Sequence, residues 1–250
     1  MSRFFSKKIV LVTLIVAVIA TTTAWMVDNQ IADNPGANDG RDIVVVVHGL
    51  GRSKIAMWLI AVRLEEAGFR VARIGYRSLR DTPEDIVKDV EGQILDCCLD
   101  KSPKLHFVGH SFGGLVIRAY LSDHEITNLG RVALIGTPNT GTEIVDNLRH
   151  EWWFQVLGPA AHALGTDENS FPNTIGRPNY PLGIIAGKMD NPNENLLPGD
   201  DDGLVSVEST RVEGMTDFVV VETGHSRMRS DNDVAEHIIS FLNTGRFNGI

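Results

Sequence analysis

The fold is decided by residues 105–115, which read LHFVGHSFGGL. Residues 105–108 predict a short buried strand, and the apolar pattern that starts at Phe112 predicts a helix. Gly109, Ser111 and Gly113 lie at the junction in the spacing G-x-S-x-G. Small residues on both sides of a serine allow a sharp strand-to-helix turn whose central residue is strained. We therefore expect the Ser111 hydroxyl to stand at the carboxyl end of a sheet.

Strands and helices alternate on both sides of this turn. Further strands are predicted at residues 43–47, 69–74, 132–135, 183–186 and 218–221, and a last helix at 234–242. Short strands separated by helix-length patterns indicate parallel strands joined by crossover helices. The sequence therefore predicts an α/β fold with a mostly parallel central sheet and helices on both faces. We expect one domain over residues 42–250, preceded by a turn-rich linker at 28–41.

The N-terminus predicts an anchoring or export segment. Residues 9–27 are 19 consecutive positions without a charge, close to the roughly 20 that cross a bilayer. Arg3, Lys7 and Lys8 precede them, which favours a cytoplasmic N-terminus. We expect an uncleaved signal-anchor at residues 1–27 with the folded domain outside the cytoplasm, periplasmic or extracellular. A cleaved signal peptide, and hence a secreted domain, is the alternative.

Charge and cysteine content narrow the partners and the chemistry. The chain has 23 basic and 32 acidic residues. Without the three cations before residue 28, the remainder carries 20 − 32 = −12, which repels a phosphate backbone, so nucleic acid is not expected as a partner. Two cysteines cannot staple a domain of this size. Cys97 and Cys98 are adjacent on a predicted helix, where a mutual bond requires distortion, so we expect two packed thiols.

A serine hydroxyl is an effective nucleophile only when a base takes its proton. Among the eight histidines, His225 follows the last predicted strand and precedes the last helix, and we predict that it is the base. A carboxylate must then hold the imidazole in the productive tautomer. Asp190 and Asp202 both follow the strand at 183–186, and residue type alone leaves this choice open.

A second glycine-rich turn, His48-Gly49-Leu50-Gly51, follows the first strand. His48 and Gly49 end the strand, and the glycines let backbone N–H groups approach a reacting oxygen. We predict that the amides of Leu50 and Phe112 form an oxyanion hole for a tetrahedral intermediate.

Four blocks of sequence together resemble the bacterial triacylglycerol lipases of the α/β-hydrolase superfamily. They are HGLG at 48–51, VGHSFGG at 108–114, IGTPNTGT at 135–142 and DGLVS at 202–206. Serine esterases similar to the inositol deacylases of glycolipid anchors share much of this pattern. The resemblance implies an α/β-hydrolase fold with Ser111 as nucleophile, His225 as base and Asp202 as the acid. Larger lipases of the group place a calcium-binding aspartate two residues after the catalytic histidine, where this chain has Arg227, so we predict no metal.

Residues 143–180 are the predicted lid segment. Ile144, Leu148, Trp152 and Val156 recur every four residues, which predicts one long helix that is apolar well beyond one narrow face. With Trp153 and Phe154 beside it, such a helix over the site would contact an acyl chain or lipid. A helix packed on the domain is the alternative.

These features predict a serine hydrolase that needs no cofactor. We expect it to cleave carboxylic esters of lipid or hydrophobic acyl chains, including lipid at a membrane, through an acyl-enzyme with Ser111, His225 and Asp202. Thioesterases, amidases and acyltransferases use the same three groups and stay alternatives. A non-catalytic binding protein of this fold is expected to lack one of them, and none is missing.

Overall fold

The computed structural model of the chain describes residues 32–99, 101–190 and 196–249. The predicted signal-anchor lies outside these residues, as does the start of the predicted linker. Within the described ranges, no helix has the length and apolarity that crossing a membrane requires.

A six-stranded parallel sheet forms the centre of the domain. Its strands are β1 (Ile43–Val47), β2 (Arg70–Ile74), β3 (Leu105–His110), β4 (Leu129–Ile135), β5 (Leu182–Gly187) and β6 (Asp217–Val221). Their order across the sheet is β2-β1-β3-β4-β5-β6, with parallel neighbours throughout. The predicted fold class is confirmed. The strand order reverses beside β1, and open α/β sheets bind ligands outside the carboxyl ends of strands at such a point.

Helices cover both faces of the sheet. They are α1 (Trp58–Glu66), α2 (Pro83–Cys97), α3 (Phe112–Asp123), α4 (Glu143–Leu148), α5 (Gly158–His162), α6 (Phe171–Thr174) and α7 (Asn232–Thr244). Short 3₁₀ helices lie at Lys54–Met57, Trp152–Leu157, Glu208–Thr210 and Met228–Ser230. Alternate residues of β1 point to opposite faces of the sheet. Val44 and Val46 pack with α1 and α7, while Val45 packs with α2 and α3. All five β1 residues are buried, which accounts for the continuous β-branched run.

The predicted pair of free thiols at the end of α2 is wrong. The sulfurs of Cys97 and Cys98 are joined in a disulfide between adjacent residues. The prediction assumed that both residues keep helical geometry. The helix in fact ends at Cys97, and Cys98 has φ −134° and ψ −29°, so the two side chains are released from the spacing of a helix.

The single long helix predicted across the lid segment is also wrong. Helix α4 ends at Leu148, and a 3₁₀ helix begins only at Trp152. The Asp146 carboxylate accepts hydrogen bonds from the Thr166 amide at 3.2 Å and hydroxyl at 2.5 Å and also pairs with Arg149. These contacts tie the end of α4 to the far part of the lid segment, and the chain turns there instead of continuing as a helix.

Helix α3 packs so closely on the end of β1 that only glycine fits at position 113. A Cβ atom on Gly113 would lie 2.3 Å from the His48 carbonyl oxygen and 2.5 Å from that of Val47. Both are backbone atoms at the carboxyl end of β1 and cannot rotate away as a side chain could. The sequence motif therefore has a packing cause as well as a chemical one.

We expect Gly113→Ala to lower the free energy of unfolding by about 1–3 kcal/mol through overpacking. Urea denaturation at neutral pH measures this change in the free energy of unfolding. Gly92→Ala is the matched control, because Gly92 lies inside α2 and a Cβ atom there would meet nothing within 4 Å. That variant should gain about 0.5–1 kcal/mol from the lower entropy of the unfolded chain. Similar effects at the two positions would contradict the packing argument.

Candidate active site

Ser111 occupies the sharp turn between β3 and α3. Its φ of 56° and ψ of −128° make it the one non-glycine residue with positive φ in the described part of the chain. Such a conformation costs free energy for an L-residue and persists only where the surroundings impose it. The surroundings are tight, because a Cβ on Gly109 would lie 2.6 Å from the Gly114 Cα atom. The turn thus holds the Ser111 side chain at the carboxyl end of β3.

A chain of hydrogen bonds joins three predicted site residues. His225 Nε2 lies 2.9 Å from Ser111 Oγ, and His225 Nδ1 lies 2.7 Å from Asp202 Oδ2. The carboxylate can only accept, so Nδ1–H donates to it and Nε2 is left to accept the serine proton. Asp202 and His225 are 2% and 8% exposed, so the pair is shielded from water. The structure brings the three side chains together as the resemblance implies.

The loop after β5 determines which aspartate meets His225. The amides of Leu204 and Val205 donate to Asp202 Oδ1 at 3.0 and 2.8 Å, which leaves Oδ2 for the imidazole. The His225 amide also donates to the Asp202 carbonyl oxygen at 2.8 Å. Asp190, the other candidate, is exposed and lines the mouth of the same cavity.

The loop after β1 lies against the nucleophile. A Cβ on Gly49 would lie 2.9 Å from Ser111 Cβ, and the Gly51 amide is fixed by Ser78 Oγ at 2.8 Å. Leu50 lines the cavity in this loop. Phe112 is the first residue of α3, and amides in the first turn of a helix have no intrahelical partner. Both predicted donors therefore flank Ser111, and their role as an oxyanion hole stays a prediction.

Two buried histidines brace these turns. The His48 Nδ1–H donates to the Gly49 carbonyl oxygen at 2.8 Å, and its ring stacks on Tyr76 with centroids 4.1 Å apart. Burial lowers the pKa of His48 to about 4, so it stays neutral. His110 Nε2–H donates to the His225 carbonyl oxygen at 2.9 Å, and burial lowers its pKa well below the usual value. His110 thus ties the elbow to the loop of the base, a contact that sequence reasoning missed although the residue lies inside the motif.

The serine opens into a cavity of about 1220 Å³. Its apolar wall comes largely from the lid segment, where Trp153 and Phe154 line the cavity with six other apolar residues, Ile144, Val145, Leu148, Leu157, Ala161 and Leu164. Trp152 does not line the cavity, and it is 81% exposed. Charged residues also line the cavity, namely Arg52, Lys188, Asp190, Glu222 and Arg227.

The described residues contain no group of three His, Cys, Asp or Glu side chains that could hold a metal ion. Arg227 lies two positions after His225, and its Nε is 3.9 Å from Asp231 Oδ2. A cation is thus present where larger lipases carry a calcium-binding aspartate. The serine chemistry described above requires no metal.

The parallel sheet, the strained elbow and the Ser111–His225–Asp202 contacts define a lipase- or esterase-like α/β-hydrolase. Residues 43–174, just over half of the chain, match the family model of palmitoyl protein thioesterase. The chain therefore belongs to the palmitoyl protein thioesterase family. The matched range includes Ser111, whereas Asp202 and His225 lie beyond it.

Solved structures of bacterial enzymes share the fold. The mature lipase BlEst2 of Bacillus licheniformis superposes with a TM-score of 0.64 at 18% identity, over 86% of this chain and 97% of that one. Phospholipase PlaB of Legionella pneumophila superposes with a TM-score of 0.58 at 15% identity, over 82% of this chain and 57% of the phospholipase chain. A lipase-esterase related protein of Clostridium acetobutylicum superposes with a TM-score of 0.54 at 14% identity, over 85% of this chain and 97% of the Clostridium chain. Among curated proteins, a sequence search found no match.

Proposed function

We propose that this protein hydrolyses esters of long acyl chains through an acyl-enzyme formed on Ser111. The observation that carries the proposal is the continuous hydrogen-bonded chain from Asp202 through His225 to Ser111, which opens into a mainly apolar cavity. A serine, a base and an orienting acid in this arrangement are the machinery of acyl transfer.

In the first half of the reaction, Ser111 Oγ attacks the acyl carbonyl carbon while His225 Nε2 takes the hydroxyl proton. The amides of Leu50 and Phe112 donate to the oxyanion of the tetrahedral intermediate. The intermediate collapses, the bond to the alcohol breaks, and the alcohol leaves with the proton from His225. In the second half, His225 deprotonates a water molecule that attacks the acyl-enzyme and releases the acid. Asp202 stabilises the imidazolium formed in both halves.

The acyl chain is assigned to the side of the cavity lined by the lid segment. The volume of about 1220 Å³ exceeds the roughly 300–1,000 Å³ of common small-ligand pockets, which leaves room for a long chain. Each methylene removed from water contributes about 0.8 kcal/mol, so binding should improve steadily with chain length.

A second candidate is hydrolysis of acyl thioesters, which the family match favours. The same steps apply, with a thiol in place of the alcohol. Comparing kcat/KM for a palmitoyl thioester and a palmitoyl oxygen ester in the same detergent separates the two activities. A preference for the thioester beyond its greater chemical reactivity would favour this candidate.

We propose that the catalytic domain is anchored outside the cytoplasm by the N-terminal segment. The run of 19 uncharged residues behind three cations supports this orientation, and the Cys97–Cys98 disulfide is of a kind that persists in oxidising compartments. A membrane-impermeant fluorophosphonate applied to spheroplasts should then label Ser111. Labelling that appears only after lysis would place the domain in the cytoplasm.

The two adjacent tryptophans of the lid segment test the assignment of the acyl chain. We expect Trp153→Ala to lower kcat/KM for nitrophenyl palmitate by about tenfold, because indole contact with the chain is lost, with less than about a threefold effect on nitrophenyl butyrate. Both are measured with detergent-dispersed substrate. Trp152→Ala is the control, since its side chain is 81% exposed, and it should change neither value. Equal losses on the two chain lengths would disprove this assignment.

A further inference from the structure

One cation in the active-site cavity is not used by the proposed mechanism. Arg52 follows the glycine-rich turn after β1 and lines the cavity that contains Ser111. It is partly buried, and the preceding Gly51 is fixed by its amide hydrogen bond to Ser78 Oγ at 2.8 Å. The backbone of Arg52 therefore starts from a fixed point beside the oxyanion loop.

The other cations of the cavity have acidic neighbours, whereas Arg52 has none among the described residues. Lys188 Nζ lies 3.0 Å from Asp200 Oδ2, and Arg227 is 80% exposed and 3.9 Å from Asp231. Burial lowers the pKa of Arg52, and no carboxylate offsets that effect. A guanidinium that has lost part of its water without gaining a counter-ion is destabilised, and an anionic ligand would relieve it.

A second guanidinium increases the positive charge at this wall. The 3₁₀ helix at Lys54–Met57 packs on the one at Met228–Ser230, and Arg229 Nη1 donates to the Ala56 carbonyl oxygen at 3.2 Å. The Nε of Arg229 is buried and has no hydrogen-bond partner among the described residues. Burial and the nearby Arg52 lower the pKa of Arg229 to about 10. Arg52, which lines the cavity, and Arg229 behind it thus lie close enough to interact, and neither forms an ion pair with an acid among the described residues.

The surroundings of Lys188 have the reverse character. Asp190, Asp200 and Glu222 all lie close enough to raise the pKa of Lys188, so this cation is surrounded by acids. The cavity is therefore polarised, positive at Arg52 and acidic around Lys188. An anionic group on a ligand is attracted to Arg52 and repelled by the acids around Lys188.

We propose that Arg52 binds an anionic group, a phosphate or a carboxylate, on the leaving group of the substrate. This inference rests on the proposed function, because a simple acyl chain carries no charge and only the alcohol or thiol can supply the anion. The guanidinium fork matches the oxygens of phosphate and carboxylate in geometry. The preferred substrate is thus an acyl ester or thioester of an acidic alcohol or thiol, not a neutral glyceride.

Two octanoyl esters with similar chromophores test this preference. One is the uncharged ester of 2-nitrophenol, and the other is the ester of 3-hydroxy-4-nitrobenzoate, whose carboxylate makes the intact substrate anionic. We expect the anionic ester to have the higher kcat/KM, mainly through a lower KM. Arg52→Gln should lower kcat/KM for the anionic ester by about 10–100-fold and that for the neutral ester by less than about threefold. Arg52→Lys should recover part of the loss.

Arg227→Gln is the matched control, because it removes another cation that lines the cavity but is 80% exposed, and it should keep the preference. Loss of the preference in Arg227→Gln but not in Arg52→Gln would overturn the inference. So would a wild-type enzyme that hydrolyses both esters equally, an outcome that leaves the proposed function intact. Absence of hydrolysis with either ester would overturn the proposed function.

Binding of uncleavable ether lipids tests the anionic subsite without catalysis. Calorimetry should show that octyl-glycerol phosphate binds the wild-type protein more tightly than octyl-glycerol, and that Arg52→Gln removes the difference. Inorganic phosphate is the third ligand. If only molar inorganic phosphate displaces octyl-glycerol phosphate, the site is assigned to a lipid headgroup. If inorganic phosphate displaces it at a concentration equal to that of the ether phosphate, the site is assigned to free phosphate, which contradicts a leaving-group subsite.

Discussion

Ser111→Ala is expected to lower kcat/KM for a nitrophenyl ester by at least about 10⁴-fold, because no oxygen remains to form the acyl-enzyme. The strained φ of 56° is imposed by the packing of β3 against α3 and not by the hydroxyl. Alanine should therefore adopt the same conformation, and the urea midpoint should stay within error of the wild type.

Ser226→Ala is the matched control for this variant. Ser226 also lines the cavity, next to His225, but no hydrogen bond joins it to the three site residues. A fluorophosphonate should label the wild type and Ser226→Ala and leave Ser111→Ala unlabelled. Retained turnover or labelling in Ser111→Ala would remove this serine from the mechanism.

Asp202→Asn is expected to lower kcat by about 10⁴-fold with little change in stability. Oδ1 of Asp202 accepts from the amides of Leu204 and Val205, so an asparagine keeps its carbonyl oxygen there and turns its NH₂ group toward His225. The imidazole then has to accept at Nδ1 and carry its proton on Nε2. In that tautomer it donates to Ser111 Oγ and cannot take the serine proton.

Asp190→Asn provides the control for the identity of the acid. Asp190 lies on the same rim without contacting His225, so its kcat should stay within about threefold of the wild type. Steady-state kinetics of both variants near pH 8 decide between the two carboxylates. A larger loss in Asp190→Asn than in Asp202→Asn would reverse the assignment.

Local patterns were sufficient for the sheet and the elbow. The strand predicted at residues 43–47 is β1 without change, and the helix predicted at 234–242 is the centre of α7. Both rest on the spacing of apolar side chains, which reports directly on the buried face. The turn at Ser111 was predictable for a related reason, because only small neighbours permit its backbone geometry.

The lid segment shows where periodicity fails. Apolar residues every four positions predicted one helix from Ile144 to Val156. The structure breaks it after Leu148 because Asp146 is held by Thr166, a residue twenty positions away. Trp153 lines the cavity, whereas Trp152, which the pattern placed on the apolar face, is 81% exposed.

The sequence by itself determined the parallel α/β architecture, the elbow at Ser111 and the candidates for base and acid, since each depends on neighbours within a few residues. The resemblance to lipases implied Asp202 as the acid, and the tertiary structure shows the contact itself, in which Asp202 reaches the imidazole of His225 through a loop after β5. No local pattern brings Ser111 and His225 together, since they are 114 residues apart. The tertiary structure likewise shows that Arg52 lacks an acidic neighbour within the part of the chain that it describes. Contacts of this kind arise when distant segments share one edge of a sheet, and no local pattern encodes them.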